Sequence, residues 1–473
     1  MSNTTRTDSI KIIEELMMTE TALASPALIA PGPCGRLLIG NLHDFIDDFL
    51  VTMQRDFVNH GDIVRYQIGS RIVHVVSNPD YAQYVLVEHQ RDFPKVGGNG
   101  GLQIIAGNGL ISNPSPESWL IQRRMMQPMF HRKRLAAMGE KIDGAGARMI
   151  QRWQALPDAA PIDMDHEMLQ VTLDIIMQTM FSADMLGEVG KLAPAVTAAV
   201  DYANYRIFNP FSLPLPMPTR RNRAYMQARK VLDSMIFGLI KQRRAATEPV
   251  GDLLDMLLEA QDAETGERMS DEQIRDEVLT IFAAGHETTA NTLTFGWYLL
   301  SEHCEIRQNL QTELDQVLQG RAPSVNDLPQ LPYTLQVFKE AMRLYPAAPI
   351  TGPRRVTKPT QLGGYDLPLN SQVIVSITNL HLHPAFWENP LQFDPSRFAP
   401  NANQPRHHLA FMPFGAGPRK CIGNNLAEME GALLLACVAQ HYNPQLQPGH
   451  QVKPEMAITM RAKAGMPMLL KRR

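Results

Sequence analysis

The sequence predicts a mainly α-helical fold with small β-sheets (α+β). Three observations lead there. Most of residues 115–345 reads as helix, β-rich segments lie only near the two ends, and no internal repeat, low-complexity tract or convincing linker divides the chain. Of 473 residues, 44% are hydrophobic and 20% charged, a globular balance that allows a large buried core. That length suits two or three ordinary domains or one large one. A formal net charge of -3 supplies no bulk attraction to nucleic acid or to an anionic membrane. The four cysteines, Cys34, Cys304, Cys421 and Cys437, are scattered and form no CxxC pair. They suggest neither a zinc site nor a disulfide framework, and a reducing cytoplasm is their natural setting.

Residues 1–30 form an N-terminal extension in which residues 10–18 read as a short amphipathic helix. Lys11, Glu14, Glu15 and Glu20 interrupt the apolar pieces, so no run approaches the ~20 residues of a membrane span, and a signal-peptide core is missing. Pro31-Gly-Pro33 makes a rigid entry to the folded part. Residues 62–68 and 71–77 are predicted strands, with Gly69-Ser70 as a tight two-residue turn. The run Gly97-Gly-Asn-Gly-Gly101 and the later Gly107-Asn-Gly109 predict a mobile loop over residues 95–111 that can gate a pocket. Ser115-Pro116 opens a helix with a capping residue and then proline in the first turn. A long helix starts near Ser270, whose spacing to Gln273 fits a capping box, and Ile274, Val278, Ile281 and Phe282 give it an apolar face. Another must end before Pro346. Residues 372–378, where Val373, Val375 and Ile377 alternate, read as a further strand.

Three patterns on these helices carry chemistry. In Ala284-Gly-His-Glu-Thr-Thr289, Gly285 costs about 1 kcal/mol against alanine in mid-helix. Thr288 can bond a carbonyl one turn back and distort the helix. A helix that accepts both penalties opens room for a ligand, and Glu287 beside Thr288 is an acid next to an alcohol, suited to relaying protons. The alternative is an exposed glutamate with two solvated threonines. His286 stands alone and is a poor metal ligand. In Glu340-Ala-Met-Arg343 the charges lie three apart and can pair on one helix face; exposed, such a pair contributes only ~0–1 kcal/mol. In Trp119-Leu-Ile-Gln-Arg123 an indole N–H and a guanidinium one turn apart can reach one carboxylate, or form a buried Trp beside a snorkelling Arg.

The most specific stretch is Phe414-Gly-Ala-Gly-Pro-Arg-Lys-Cys-Ile-Gly423. It sets one cysteine in a glycine-rich loop before a helix-like segment, with Arg419 and Lys420 beside it. Backbone N–H groups, a helix N-terminus and positive charge all favour a thiolate there, and glycines let the main chain approach a bulky object. The loop lacks the Lys-Ser/Thr ending of a phosphate cradle and the spacing of a dinucleotide fingerprint. Haem, with Cys421 as axial ligand of its iron, fits best. The pattern Phe-x-x-Gly-x-Arg-x-Cys-x-Gly resembles the haem-binding loop of the cytochrome P450 family.

That resemblance implies a single-domain fold over residues 31–473, with haem b between the oxygen-activation helix and the Cys loop. Cys421 is then the metal ligand, and Phe414, Gly417, Arg419 and Gly423 shape the loop. Ala284 and Gly285 flank the oxygen site, and Glu287 and Thr288 are the catalytic acid–alcohol pair. Trp119, Arg123, Arg419 and Arg354 match the propionate partners, with Arg355 as the alternative to Arg354. Glu340, Arg343 and Arg397 match a buried network in which Ser396 replaces the more usual glutamate. The implied activity is a monooxygenase that inserts one atom of O2 into a hydrophobic small molecule. Hydroxylation or epoxidation of a fatty acid, terpenoid, steroid or polyketide would fit. Residues 202–220, with four prolines, resemble the family's lid, and Ala347-Ala348-Pro349-Ile350-Thr351 should line the cavity. No flavin or iron–sulfur pattern follows Cys421, so electrons are expected from a separate ferredoxin or flavodoxin with its reductase. Arg132, Lys133, Arg134 and Lys420 are either a docking patch for it or ordinary solvated charges. A peroxide-driven peroxygenase and a non-catalytic haem sensor are the rival readings; the intact Glu287–Thr288 pair disfavours the first, and the lack of a sensor module the second.

Overall fold

The computed structural model describes residues 28–97, 101–182, 189–209, 212–400, 402 and 406–473. The candidate helix at 10–18, residues 98–100 of the glycine run, Pro210 and Phe211 of the lid-like segment, and the side chains of Phe208 in that segment and of Arg132 and Lys133 lie outside what is described. In chain order, α1 (Leu42–His60) precedes β1 (Ile63–Ile68) and β2 (Arg71–Val76), followed by α2 (Leu102–Ala106), α3 (Pro116–Met126) and α4 (Gly139–Gln154). Next come β3 (Ala160–Asp163), α5 (Met164–Phe181), α6 (Val189–Phe208), α7 (Arg220–Ala245) and α8 (Asp271–Glu302). The second half holds α9 (Pro332–Leu344), β4 (Arg354–Arg355), β5 (Gln372–Val375), α10 (Ile377–His381) and α11 (Asn424–His441). The strands β6 (Tyr442–Leu446), β7 (Pro454–Met456), β8 (Met460–Ala462) and β9 (Pro467–Arg472) follow. Helix dominates and the sheets are small, as the sequence predicts.

The predicted hairpin forms with Ile63 opposite Val76 and Ile68 opposite Arg71, and Gly69 supplies the positive φ (58°) that the turn needs. β2 then pairs in parallel with β5, and β4 lies antiparallel on its far side, giving a sheet of order β1-β2-β5-β4. The predicted strand over 372–378 stops at Val375. Ser376 instead caps α10, its side chain accepting from Asn379 N at 3.2 Å, so Ile377 and Thr378 are helical. Alternating β-branched residues pointed to a longer strand, but a serine able to satisfy an orphan helix N–H ended it. A second sheet, β3-β9-β6, joins the chain's C-terminus to the start of α5.

α8 is the central element. Its 32 residues span about 48 Å at 1.5 Å per residue. The Ser270 side chain caps it by accepting from Gln273 N at 3.2 Å, and Ile274, Val278, Ile281 and Phe282 are all buried. α5 lies along it so closely that a Cβ on Gly285 would fall 2.6 Å from Ile176 Cδ1. Thr172 of α5 donates to the His286 carbonyl at 2.9 Å across the same contact. Gly285 therefore also lets two helices approach. Among the described residues no helix is long and apolar enough to cross a membrane.

Candidate active site

The Cys loop is set by its glycines. Gly415 and Gly417 have positive φ (70° and 69°), and a Cβ on Gly417 would lie 1.9 Å from the Leu86 carbonyl oxygen. Only glycine lets this loop press against the π-helical turn Tyr84–Glu88. Cys421 N–H donates to the Phe414 carbonyl at 2.8 Å, closing the loop beneath the N-terminus of α11, which begins with Gly423 as its cap. Cys421 keeps an accessible face. Burial among protein atoms pushes its thiol up, while the Gly423 N–H, Arg123 and Lys420 pull it down. The three groups that oppose burial all favour the thiolate, the form that ligates a metal. Phe414 is half-buried at the edge of the main core.

The predicted cations gather here. Arg419 lies 4.4 Å over the Trp119 ring and donates to Asn113 O at 3.0 Å. Arg123 donates to the Lys420 carbonyl at 2.6 Å, so it braces the residue before Cys421. Arg354 is half-buried and Arg355 exposed, so Arg354 is the one of the two that points inward. Burial pulls the Arg354 and Arg419 guanidiniums down to about 10, and a buried Nε of Arg354 has no hydrogen-bond partner. Sequence reasoning missed Lys95. It pairs by backbone with Arg354, its ammonium donates to the Ile111 carbonyl, and burial and the two arginines depress it to about 7. Nothing local distinguishes this lysine; only its strand-like pairing with residue 354 brings it here. Among the described residues no carboxylate lies within ion-pair distance of Lys95, Arg354 or Arg419. Three desolvated cations with no anion, one with an orphaned donor, fit a dianionic ligand beside a cysteine. The two propionates and the iron of a haem match both halves of that arrangement.

On α8, Thr288 Oγ1 donates to the Ala284 carbonyl at 2.8 Å, the backward bond its position predicts. Ala284 and Thr288 are half-buried. Glu287 is buried, not a solvated surface acid; burial pushes its carboxyl up, opposed by the Thr459 side chain and by the Arg461 charge. Nearly three turns earlier, Glu277 is fully buried, with one oxygen accepting from Leu110 N at 2.9 Å and the other unpartnered. Burial raises it to about 8. It pins the loop that follows α2, where a Cβ on Gly109 would lie 2.1 Å from Thr280 Oγ1. Residues 107–110 of the glycine-rich stretch are thus held down by α8.

Glu340 and Arg343 of α9 are wholly buried. Arg343 donates to both oxygens of Glu340 at 2.7 Å, and to the carbonyls of His381, Pro390 and Gln392. Arg397 Nε lies 3.5 Å from Glu340 Oε1, and Asp394 N–H donates to the same oxygen at 3.0 Å. Asp394 caps that segment, its carboxylate accepting from the Ser396 N–H and hydroxyl, so the serine in the place of the usual glutamate leaves the network whole. His381, also unpredicted, links network to site: its Nε2 accepts from Met412 N at 2.9 Å, two residues before Phe414. Burial beside Arg343 holds the imidazole down at about 3, neutral and able to accept.

The comparisons agree with this geometry. The family model described as Cytochrome P450 matches residues 30–468. The chain is 36% identical over 410 residues to "Cyclooctatin synthase" of Streptomyces melanosporofaciens, covering 85% of this chain and 87% of that protein. It is 34% identical over 413 residues to "Pentalenene oxygenase" of Streptomyces avermitilis, covering 85% and 88%. The solved structure of the cytochrome P450DA heme domain superposes with a TM-score of 0.85 at 25% identity, over 94% of this chain and 98% of that one. The chain belongs to the cytochrome P450 family, the haem-thiolate monooxygenases.

Proposed function

We propose that this monooxygenase oxygenates a terpenoid, with haem b held by Cys421 inside one domain over residues 31–473. The observation that carries the site assignment is the convergence of Cys421 with Lys95, Arg354 and Arg419, cations that have no protein anion to meet. Lys95, Arg354 and Arg419 would hold the propionates beside Trp119, and Arg123 would brace the Cys loop. The terpenoid class is supported by the relatives: besides those two, the chain is 33% identical over 392 residues to a "Cyclooctat-9-en-7-ol 5-monooxygenase". Bound haem supplies activation of O2 for insertion into a C–H or C=C bond. The chain's own residues orient the substrate, exclude water and manage protons. Glu287 holds a proton more readily than a surface acid, and the Thr288 hydroxyl carries one next to it. We place the protein in the cytoplasm and expect a separate ferredoxin or flavodoxin with its reductase as electron donor.

The test has two arms. The reduced carbon monoxide spectrum should show the thiolate-ligated Soret band, and Cys421→Ser should lose it; an unchanged band in that variant ends the ligand assignment. Incubation with a surrogate ferredoxin system and a panel of terpenes, fatty acids, steroids and polyketides should yield oxygenated product from the terpenes. Turnover of another class in their place would refute the substrate assignment, and turnover that needs only peroxide would favour the peroxygenase.

A further inference from the structure

The glycines at 107 and 109 serve close contact, not freedom. Gly107 has a positive φ (49°), and a Cβ there would collide with Asp276 Oδ2 of α8. A Cβ on Gly109 would collide with Thr280 Oγ1. Backbone brought this near gives its N–H groups to the α8 acids. Asn108 N–H donates to Asp276 Oδ2 at 2.8 Å, and Leu110 N–H to Glu277 Oε2 at 2.9 Å. Asp276 is itself held, since Arg275 pairs with it at 2.8 Å while donating to Asp233 of α7 at 2.7 Å. Within the segment, Ser112 Oγ donates to Gly107 O at 2.8 Å. The buried Gln122 of α3 braces it, donating to Asn108 O at 2.8 Å and accepting from Asn113 Nδ2 at 2.9 Å.

The carbonyls at the far end of the segment meet the cations of the haem site. The Lys95 ammonium donates to Ile111 O, and Arg419 to Asn113 O at 3.0 Å. Both head groups offer several donors, so each can hold a carbonyl and an anion together. Residues 107–113 therefore run from two α8 acids to two of the three desolvated cations. We propose that this segment is a rigid strut for the haem site and not a substrate gate, and that Asp276 and Glu277 are positioning residues that hold the strut, and through it Lys95 and Arg419, in place for the propionates. This rests on the reading of Lys95 and Arg419 as propionate partners. Lysine and arginine lose much rotamer freedom when fixed, so a carbonyl that already holds each one leaves less ordering for haem binding to impose.

The test follows haem transfer from the ferric, haem-loaded full chain to excess apomyoglobin. Glu277→Leu keeps the bulk and removes the acceptor of the Leu110 N–H, and it should speed haem loss several-fold. Glu277→Gln, whose amide oxygen still accepts, should stay at the wild-type rate. Gly109→Ala pushes the strut off α8 from the loop side and should act as Glu277→Leu does. In chains loaded with haem dimethyl ester, which has no propionate charge, Glu277→Leu should add nothing; general loosening of the fold would speed loss of either haem. In hydrogen exchange on the substrate-free protein, the Asn108 and Leu110 amides should be as protected as those in the middle of α8. Rapid exchange at both would overturn the strut. Wild-type haem loss in Glu277→Leu and Gly109→Ala, or equal acceleration with the ester, would overturn the positioning role. Failure of the propionate reading looks different: esterification would leave wild-type haem loss unchanged while both amides stayed protected, and the positioning role would fall with it.

Discussion

Glu277 shows how one buried group sets a pH dependence. Its folded-state carboxyl sits near 8 against about 4.5 unfolded, so the folded protein binds the extra proton in between. Stability from this residue is fully present below about 4.5 and declines as pH rises through 8. Glu277→Gln should therefore raise stability at pH 8 relative to wild type by about 1–3 kcal/mol, with little gain at pH 4.5; each pKa unit is worth about 1.4 kcal/mol, reduced by local opening of the loop. Denaturant melts at the two pH values measure it, and equal effects at both would refute it. Thr288→Ala should leave folding intact and uncouple turnover, with peroxide formed in place of product; tight coupling would remove Thr288 from proton handling. Cys421, Thr288 and the Glu340–Arg343 pair were legible from sequence because each motif is local: its members lie within a loop or a turn of helix. Lys95 and His381 were not, since Lys95 meets Arg354 across more than two hundred residues and His381 meets Met412 through a backbone contact that spacing does not encode.

At the scale of elements, packing explains what propensity left open. Gly285 weakens α8 as an isolated helix, yet the absent Cβ is what lets Ile176 of α5 approach. Gly285→Ala should cost about 1–3 kcal/mol through overpacking. Ile176→Val in the same chain should recover part of it, because it removes the Cδ1 that the new methyl meets. The coupling appears in a double-mutant cycle, and strict additivity would show that the two positions do not touch. The misjudged strand over 372–378 has the same lesson in reverse. Period-two alternation reported side-chain faces correctly up to Val375, but the capping capacity of Ser376 decided where the chain turned helical. Similarly, Ser396 departs from the family pattern without cost, since the backbone N–H of Asp394 and the guanidinium of Arg397 reach Glu340.

Over the whole molecule, ligand and fold are coupled through charge. Lys95, Arg354 and Arg419 repel one another, so the haem-free protein carries a penalty that a dianion relieves. Lys95 lies near 7 folded and near 10.5 unfolded, so the unfolded chain binds the extra proton across that window. The haem-free form should thus gain stability as pH rises from 7 toward 10, whereas holoprotein and the Lys95→Met variant should not; thermal melts of all three at pH 7 and 9.5 decide it. By itself the sequence determined the fold class and placed Cys421 in its loop, Glu287 beside Thr288, and Glu340 and Arg343 on one helix face. These rest on periodicity and on short-range chemistry that one loop or helix face contains. Only the tertiary structure decided that Arg354 and not Arg355 turns inward, that Lys95 joins it, that Gly285 serves a helix contact, and that Glu287 is buried. Those outcomes depend on which distant backbones come together, and on burial that makes a charge or a missing methyl matter.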